Sequence, residues 1–420
     1  MEIPVRLSVR LWGEELGVLT WDQAEGRSLF KFSDGYFSKP FDVAPLVHPK
    51  SKPEARGLIP GGEKGKYKGL PEFIADSLPD DWGNLLFDAW ARRNRLSHHE
   101  LSPILKLSFI GKRGMGALEY IPENRDAEGK TALDIEELYD MSMRLYRERA
   151  AARINPGEEV TFRRLIRLGT SAGGMRPKSV VAIDGETGEI RSSQVDLPPS
   201  YRHYILKFQE DSDVPTTLVE YAYYRLALEC GIKMMPSRLF PMGSMRHFLT
   251  ERFDRQNGEK QFTQTLAALM PEATDYNHIF YLLRVLRADY PSFDQLFRRL
   301  VFNVLAGNTD DHSKNFSFIM DPSGRWELAP AYDLTFTSNA WEDFMAQYHS
   351  LSVRGKKTGI SREDLIEIGE ANGIRRCKPI VKQISMVIGG MESLFDEIGI
   401  TGEWKERILS KVLPGNSNQH

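Results

Sequence analysis

Apolar and polar residues alternate along residues 1–50. This two-residue period predicts strands in PVRLSVRLWG, ELGVLTWD and SLFKFSD, with Gly and Asp turns between them. The period changes in YKGLPEFIADSLPDDWGNLLFDAWARRN. After about Pro71, Trp82, Leu85, Leu86 and Ala89 recur at helical spacing, with Asp80 or Asp81 as N-cap. Met115–Glu123 (MGALEYIPE) reads as a returning strand. The charged stretch ENRDAEGKTALD reads as a linker into a helix near 134–152, which places a boundary around 125–155.

A second unit starts with the helix EEVTFRRLIRLG and a Gly-rich loop, GTSAGGMRPK. The strands KSVVAIDG and Tyr204–Phe208 follow, then the helix TTLVEYAYYRLALECG with Leu218, Tyr221, Ala222, Leu226 and Leu228 on a broad apolar face. SRLFPM and HFLTERFDR complete a small mixed sheet. From residue 256 the pattern is mostly helical, and FDQLFRRLVFNVLAGN delivers the polar loop NTDDHSKN. The expected fold class is α+β, with domains at 1–125, 155–255 and 256–412.

Composition narrows the class. The chain has 420 residues, 41% hydrophobic and 27% charged, with a net charge of −3, as in a globular enzyme of two or three domains or lobes. That balance favours neither a nucleic-acid-binding nor a membrane surface. Cys230 and Cys377 lie far apart with no C-x-x-C pattern, so zinc is not expected. A charged, strand-like N-terminus and the lack of a long apolar run lead us to expect a cytoplasmic protein.

The chemistry concentrates in NTDDHSKN. Asp310 and Asn315 have the spacing D-x-x-x-x-N, and Asp333 follows in PAYDLTF. Between them, FSFIMDPSGRWEL reads as two strands around an Asp-Pro-Ser-Gly turn. Phosphoryl transfer from Mg-ATP needs this order of parts: a carboxylate for the acceptor hydroxyl (Asp310), an amide oxygen for the metal (Asn315), and a second, metal-binding carboxylate (Asp333). His312 suits a scaffold role. Lys314 either neutralises the transferring phosphate or is solvated, and Asp311 is expected to be exposed or a cap. Lys207 stands alone on an apolar strand, where a nucleotide phosphate would neutralise it and Glu220 could pair with it. Gly169 and Gly174 have Walker A spacing, but Met175 and Arg176 follow and a strand comes next, so a P-loop is rejected. Backbone N–H groups at Gly173 and Gly174 could instead cover phosphates, and Thr170 and Ser171 offer hydroxyls for phosphorylation. TERFDR sits where a hinge would read adenine through the backbone near Glu251 and Phe253. His98 and His99 read as surface residues.

With those residues in place, the chain resembles the HipA-like serine/threonine protein kinases, toxins of bacterial type II toxin–antitoxin pairs. DWGNLLFDAW and GKRGMGALEYIPE resemble that family's N-terminal subdomain, SAGGMRPK its Gly-rich loop, LKF its lysine strand, ERFDR its hinge, and TDDHSKN with YDL its catalytic core. The resemblance implies a two-lobed fold related to phosphoinositide kinases, with an N-terminal β-rich subdomain. It implies ATP and Mg²⁺ as cofactors and a protein substrate such as an aminoacyl-tRNA synthetase. A HipB-like DNA-binding antitoxin would be the partner, with no direct nucleic-acid binding by this chain. Ser171 would match a serine whose autophosphorylation switches the kinase off. A lipid or small-molecule kinase and a catalytically silent binding module stay open as alternatives.

Overall fold

The computed structural model describes residues 5–96, 101–122, 133–149, 152–170, 174–193, 197–211, 213–256, 258–337 and 348–412. Two compact units are present. The first comprises Met1–Glu210, Leu249–Gln264 and Asp321–Gly324. The second comprises Asp211–Phe248, Thr265–Met320 and Arg325–His420.

In the first unit, alternation builds a five-stranded antiparallel sheet. Its order is Ile59–Pro60, Arg27–Phe32, Glu14–Asp22, Arg6–Leu11, Leu118–Ile121. Leu7 faces Leu19, and Leu19 faces Phe30, so one face is continuously apolar. Phe30, Phe32 and Phe73 close that face with ring contacts, Phe30 edge-on to Phe73 at 5.3 Å. The helix expected after Pro71 runs Asp81–Arg93 and buries Trp82, Leu86 and Ala89. It packs on the helix Glu159–Thr170, which in turn packs on the strand Lys178–Asp184. That strand pairs antiparallel with Ile190–Ser192 on one side and Tyr201–Lys207 on the other.

The second unit is mostly helical. Tyr290–Leu305 is its axis, with Leu296, Phe297, Leu300 and Val301 fully enclosed. Cys377–Gly389 and Arg362–Ala371 pack against it. The expected hairpin forms between Ser317–Met320 and Trp326–Leu328, with Ile319 opposite Glu327. The β-rich N-terminal part and helical C-terminal part agree with the α+β expectation. Among the described residues no helix is long and apolar enough to cross a membrane.

Two local expectations fail. Leu228, placed on the buried face of Thr216–Glu229, is 44% exposed; the buried stripe runs through Leu218, Ala222, Tyr223 and Leu226 instead. Apolar character alone could not tell this last-turn leucine from a core one. The strand through HFLTERFDR stops at Glu251, because Arg252 and Asp254 turn inward to form an ion pair.

Candidate active site

The helix Tyr290–Leu305 ends at Ala306, and Gly307, with φ +67°, turns the chain into the polar loop. Asp310 emerges with about half of its side chain open to solvent. Its titration is shifted upward. Burial of its other half disfavours the charge, and the Asp333 and Asp311 carboxylates add to this, while His312 opposes it. His312 caps the short turn Ser313–Asn315: its Nδ1 accepts the Lys314 N–H at 3.2 Å. Its Nε2 lies 3.7 Å from Asp310 Oδ1. Lys314 is exposed, and its carbonyl accepts the Tyr332 hydroxyl at 2.6 Å.

Asn315 Nδ2 donates to the Asp310 carbonyl at 2.7 Å. The bond folds the loop back across five residues and commits the amide nitrogen, so the amide oxygen is the end left to act as a ligand. Asn315 and Asp333 line one small cavity with Arg299, Asn303, Asn308 and Asp311. Asp333 has φ +52°, in the left-handed region that few non-glycine residues enter, and Asp tolerates it better than most. Its strand of chain is held by Ala331, whose N–H donates to the Lys233 carbonyl at 2.8 Å. An amide oxygen and a carboxylate on one cavity form a hard oxygen donor set, which suits Mg²⁺ when phosphate oxygens complete the shell.

Asp311 contradicts its expectation. It is 1% exposed and accepts hydrogen bonds from Tyr276 Oη (2.7 Å), His349 Nδ1 (2.9 Å) and Ser350 N (2.8 Å). Those donors lie 35 to 39 residues away, so local sequence carried no signal of them. Arg299, missed entirely, is buried, and burial lowers its titration to about 10. Its Nε and Nη1 have no hydrogen-bond partner among the described residues.

In the first unit, Lys207 ends the strand Tyr201–Lys207 and is half-buried. The register sets it directly opposite Lys178, which is 4% exposed and which sequence reading passed over. Lys178 Nζ lies beneath Gly174, where an added Cβ would push it aside, and Gly174 has φ +99°, a conformation that strains any other residue. The Gly174 N–H donates to Asp80 Oδ2 at 3.0 Å, its carbonyl accepts the Trp82 N–H at 3.2 Å, and Trp82 Nε1 donates to the Lys178 carbonyl at 2.9 Å. Asp80 occupies the N-cap position of its helix but spends its carboxylate on the loop. Gly173 and Ser171 lie outside the described residues, as do His98 and His99; Thr170 ends its helix.

In the expected hinge, Glu251 lies 3.5 Å from Arg202, and the Phe253 carbonyl accepts Gln256 Nε2 at 3.2 Å. The intervening side chains are structural. Asp254 takes a bidentate pair from Arg252, a third contact from Arg255 and the Gly116 N–H at 2.7 Å. Burial alone would raise its titration, but the two guanidiniums hold it well below the carboxylate range. Glu220 is half-buried on Thr216–Glu229.

Comparison with known proteins gives two family matches: the HipA N-terminal domain over residues 7–121 and the HipA-like C-terminal domain over 170–390. The chain is 26% identical over 209 residues to the serine/threonine-protein kinase toxin HipA of Shewanella oneidensis. That match covers 42% of this chain and 45% of the toxin, so it spans about half of the relative's length. It is 24% identical over 271 residues to a putative kinase of Haemophilus influenzae, covering 56% of this chain and 77% of that one. A solved complex of Shewanella oneidensis HipA with HipB and operator DNA contains a chain of the same fold. The TM-score is 0.67 at 18% identity, over 97% of this chain and 96% of that chain.

Proposed function

Because the chain belongs to the HipA-like family, we propose that it is an ATP- and Mg²⁺-dependent protein kinase acting on Ser or Thr. The observation that carries the reading is the lock from Asn315 Nδ2 to the Asp310 carbonyl, which holds an exposed carboxylate beside an amide that lines a cavity with Asp333. Asp310 aligns the acceptor hydroxyl. A bond forms from that oxygen to the γ-phosphorus, the bond to the ADP oxygen breaks, and the hydroxyl proton passes to the Asp310 carboxylate. Its raised titration makes the carboxylate a better proton acceptor than an ordinary Asp. Asn315 and Asp333 would hold Mg²⁺, which neutralises phosphate charge when bound. Lys207 and Lys178 would hold phosphate oxygens, the Gly-rich loop with Gly173 and Gly174 would cover them, and the backbone near Glu251 and Phe253 would read adenine. Lys314 would face the transferring phosphate.

The substrate would be a translation protein such as an aminoacyl-tRNA synthetase, and a HipB-like DNA-binding antitoxin the partner. Phosphorylation of Ser171 would switch the enzyme off. Phosphotransfer from labelled ATP to proteins of a cell lysate tests the central claim. Asp310→Asn should lose about 10²–10⁴-fold of the rate, and Asp333→Asn should be similarly impaired. Equal transfer by the wild type and both variants would refute the assignment.

A further inference from the structure

The loop that carries Asp310 is closed by a one-way ring of hydrogen bonds. The Asp310 N–H donates to Thr337 Oγ1 at 2.9 Å, and that hydroxyl donates to Asn308 Oδ1 at 3.2 Å. Asn308 Nδ2 donates to Asn303 Oδ1 at 3.0 Å, and Asn303 Nδ2 to Tyr276 Oη at 3.0 Å. The Tyr276 hydroxyl donates to Asp311 Oδ2 at 2.7 Å. Asp311 is covalently next to Asp310, so the ring returns to its start. Thr337, Asn308, Asn303 and Tyr276 each both accept and donate, and the sequence ends on a carboxylate, the strongest acceptor in the set. A chain polarised in this sense strengthens its own links.

Asn303, Asn308, Tyr276 and Asp311 are all nearly fully enclosed. Burial keeps Tyr276 protonated far above its ordinary range, with the Asp311 charge adding to the effect, so it stays a donor. Thr337 is the half-buried link, and the one that touches Asp310 itself. Its N–H also reaches the Gly307 carbonyl at 3.4 Å. On the other side of the loop, the Ser350 N–H donates to the Thr309 carbonyl at 3.1 Å and to Asp311 Oδ1 at 2.8 Å.

We propose that Thr337 is a positioning residue for Asp310: its hydroxyl fixes the Asp310 backbone against the buried Tyr276–Asp311 pair, and so fixes where the exposed carboxylate points. The chemical use of this aim rests on the kinase reading above; the ring itself does not. Nothing in PAYDLTFTS marks Thr337 as different from Thr335. Only the fold shows which of the two hydroxyls bridges Asp310 and Asn308.

The experiment compares Thr337→Val, which keeps the shape and loses the hydroxyl, with Thr337→Ser, which keeps the hydroxyl. Two readouts are taken on the full chain: hydrogen–deuterium exchange of the peptide containing Asp310, and phosphotransfer kcat beside ATP affinity and Tm. The valine variant should lose exchange protection at Asp310 and about tenfold or more in kcat, with ATP affinity and Tm near wild type. The serine variant should retain both. Tyr276→Phe, which opens the same ring elsewhere, should show a kcat effect that is not additive with Thr337→Val. Unchanged protection or unchanged kcat in the valine variant overturns the proposal, as does a serine variant as impaired as the valine one. If the wild type transfers no phosphate at all, the kinase reading fails on its own, and exchange alone decides whether Thr337 holds the loop.

Discussion

Lys178 and Lys207 face each other residue for residue on adjacent antiparallel strands, so their side chains leave the sheet on the same side. Lys178 is nearly enclosed. On the kinase reading, both ammoniums would hold phosphate oxygens of the nucleotide. Lys178→Met and Lys207→Met should each weaken ATP binding about 10–100-fold, the value of a lost charge-assisted contact, and leave adenosine binding unchanged. Calorimetric titration with both ligands checks this. Equal losses for ATP and adenosine would point to damaged folding rather than a lost phosphate contact.

Gly174 combines a left-handed φ with contact to Lys178 Nζ. Gly174→Ala should therefore strain the backbone by about 1–3 kcal/mol and push the ammonium aside. The expected result is a lower Tm with a raised KM for ATP. Asp80→Ala, which removes the acceptor of the Gly174 N–H, should raise KM with a smaller change in Tm. Wild-type KM in both variants would remove the loop from nucleotide binding.

Asp310 titrates above its ordinary value, so its carboxylate is lost at a higher pH than that of a typical Asp. The acid limb of kcat should lie correspondingly high. His312 is the group that opposes the upward shift, so His312→Gln should move the limb further up. A pH–rate profile that stays put or moves down in this variant would contradict the arrangement.

His203 and His247 are both held down to about 4 by burial, His203 also by Arg252 and Arg255. The unfolded chain takes up these protons near the ordinary 6.5, and the folded chain does not until about 4. Stability is therefore full above 6.5 and declines as pH falls across that window. The urea midpoint should drop between pH 7 and pH 5, and His203→Gln should flatten part of the drop. A midpoint constant over this range would mean that the two imidazoles titrate normally.

Asp254 neutralises two buried guanidiniums. Asp254→Asn leaves both without their counter-charge and should cost about 3–5 kcal/mol, read as a fall in the urea midpoint of unfolding. A loss below about 1 kcal/mol, the worth of an exposed pair, would show that water reaches the cluster.

The parts legible in the sequence were those whose signal is local. Alternation located the strands from Arg6 to Phe32, and helical spacing located the helix through Trp82 and Leu86. D-x-x-x-x-N located Asp310 and Asn315, which a single hydrogen bond joins. What stayed hidden depends on pairing across the fold. Lys178 is an ordinary lysine until the strand register sets it against Lys207. Asp311 looked like one more polar loop residue because Tyr276 and His349 lie far off in sequence. The side chains of TERFDR were set aside in favour of backbone, yet Arg252 and Asp254 form a buried core of ions.

Residues 7–121 and 170–390 match separate family models, as if they were exchangeable pieces. The grip of Asp80 and Trp82 on Gly174 and Lys178, and of Asp254 on Gly116, says otherwise. A genetic crossover between distant relatives that fell between the two matches would join an N-terminal half to a Gly-rich loop it was not shaped to hold. Such a recombinant should hold its Gly-rich loop less firmly than either parent does.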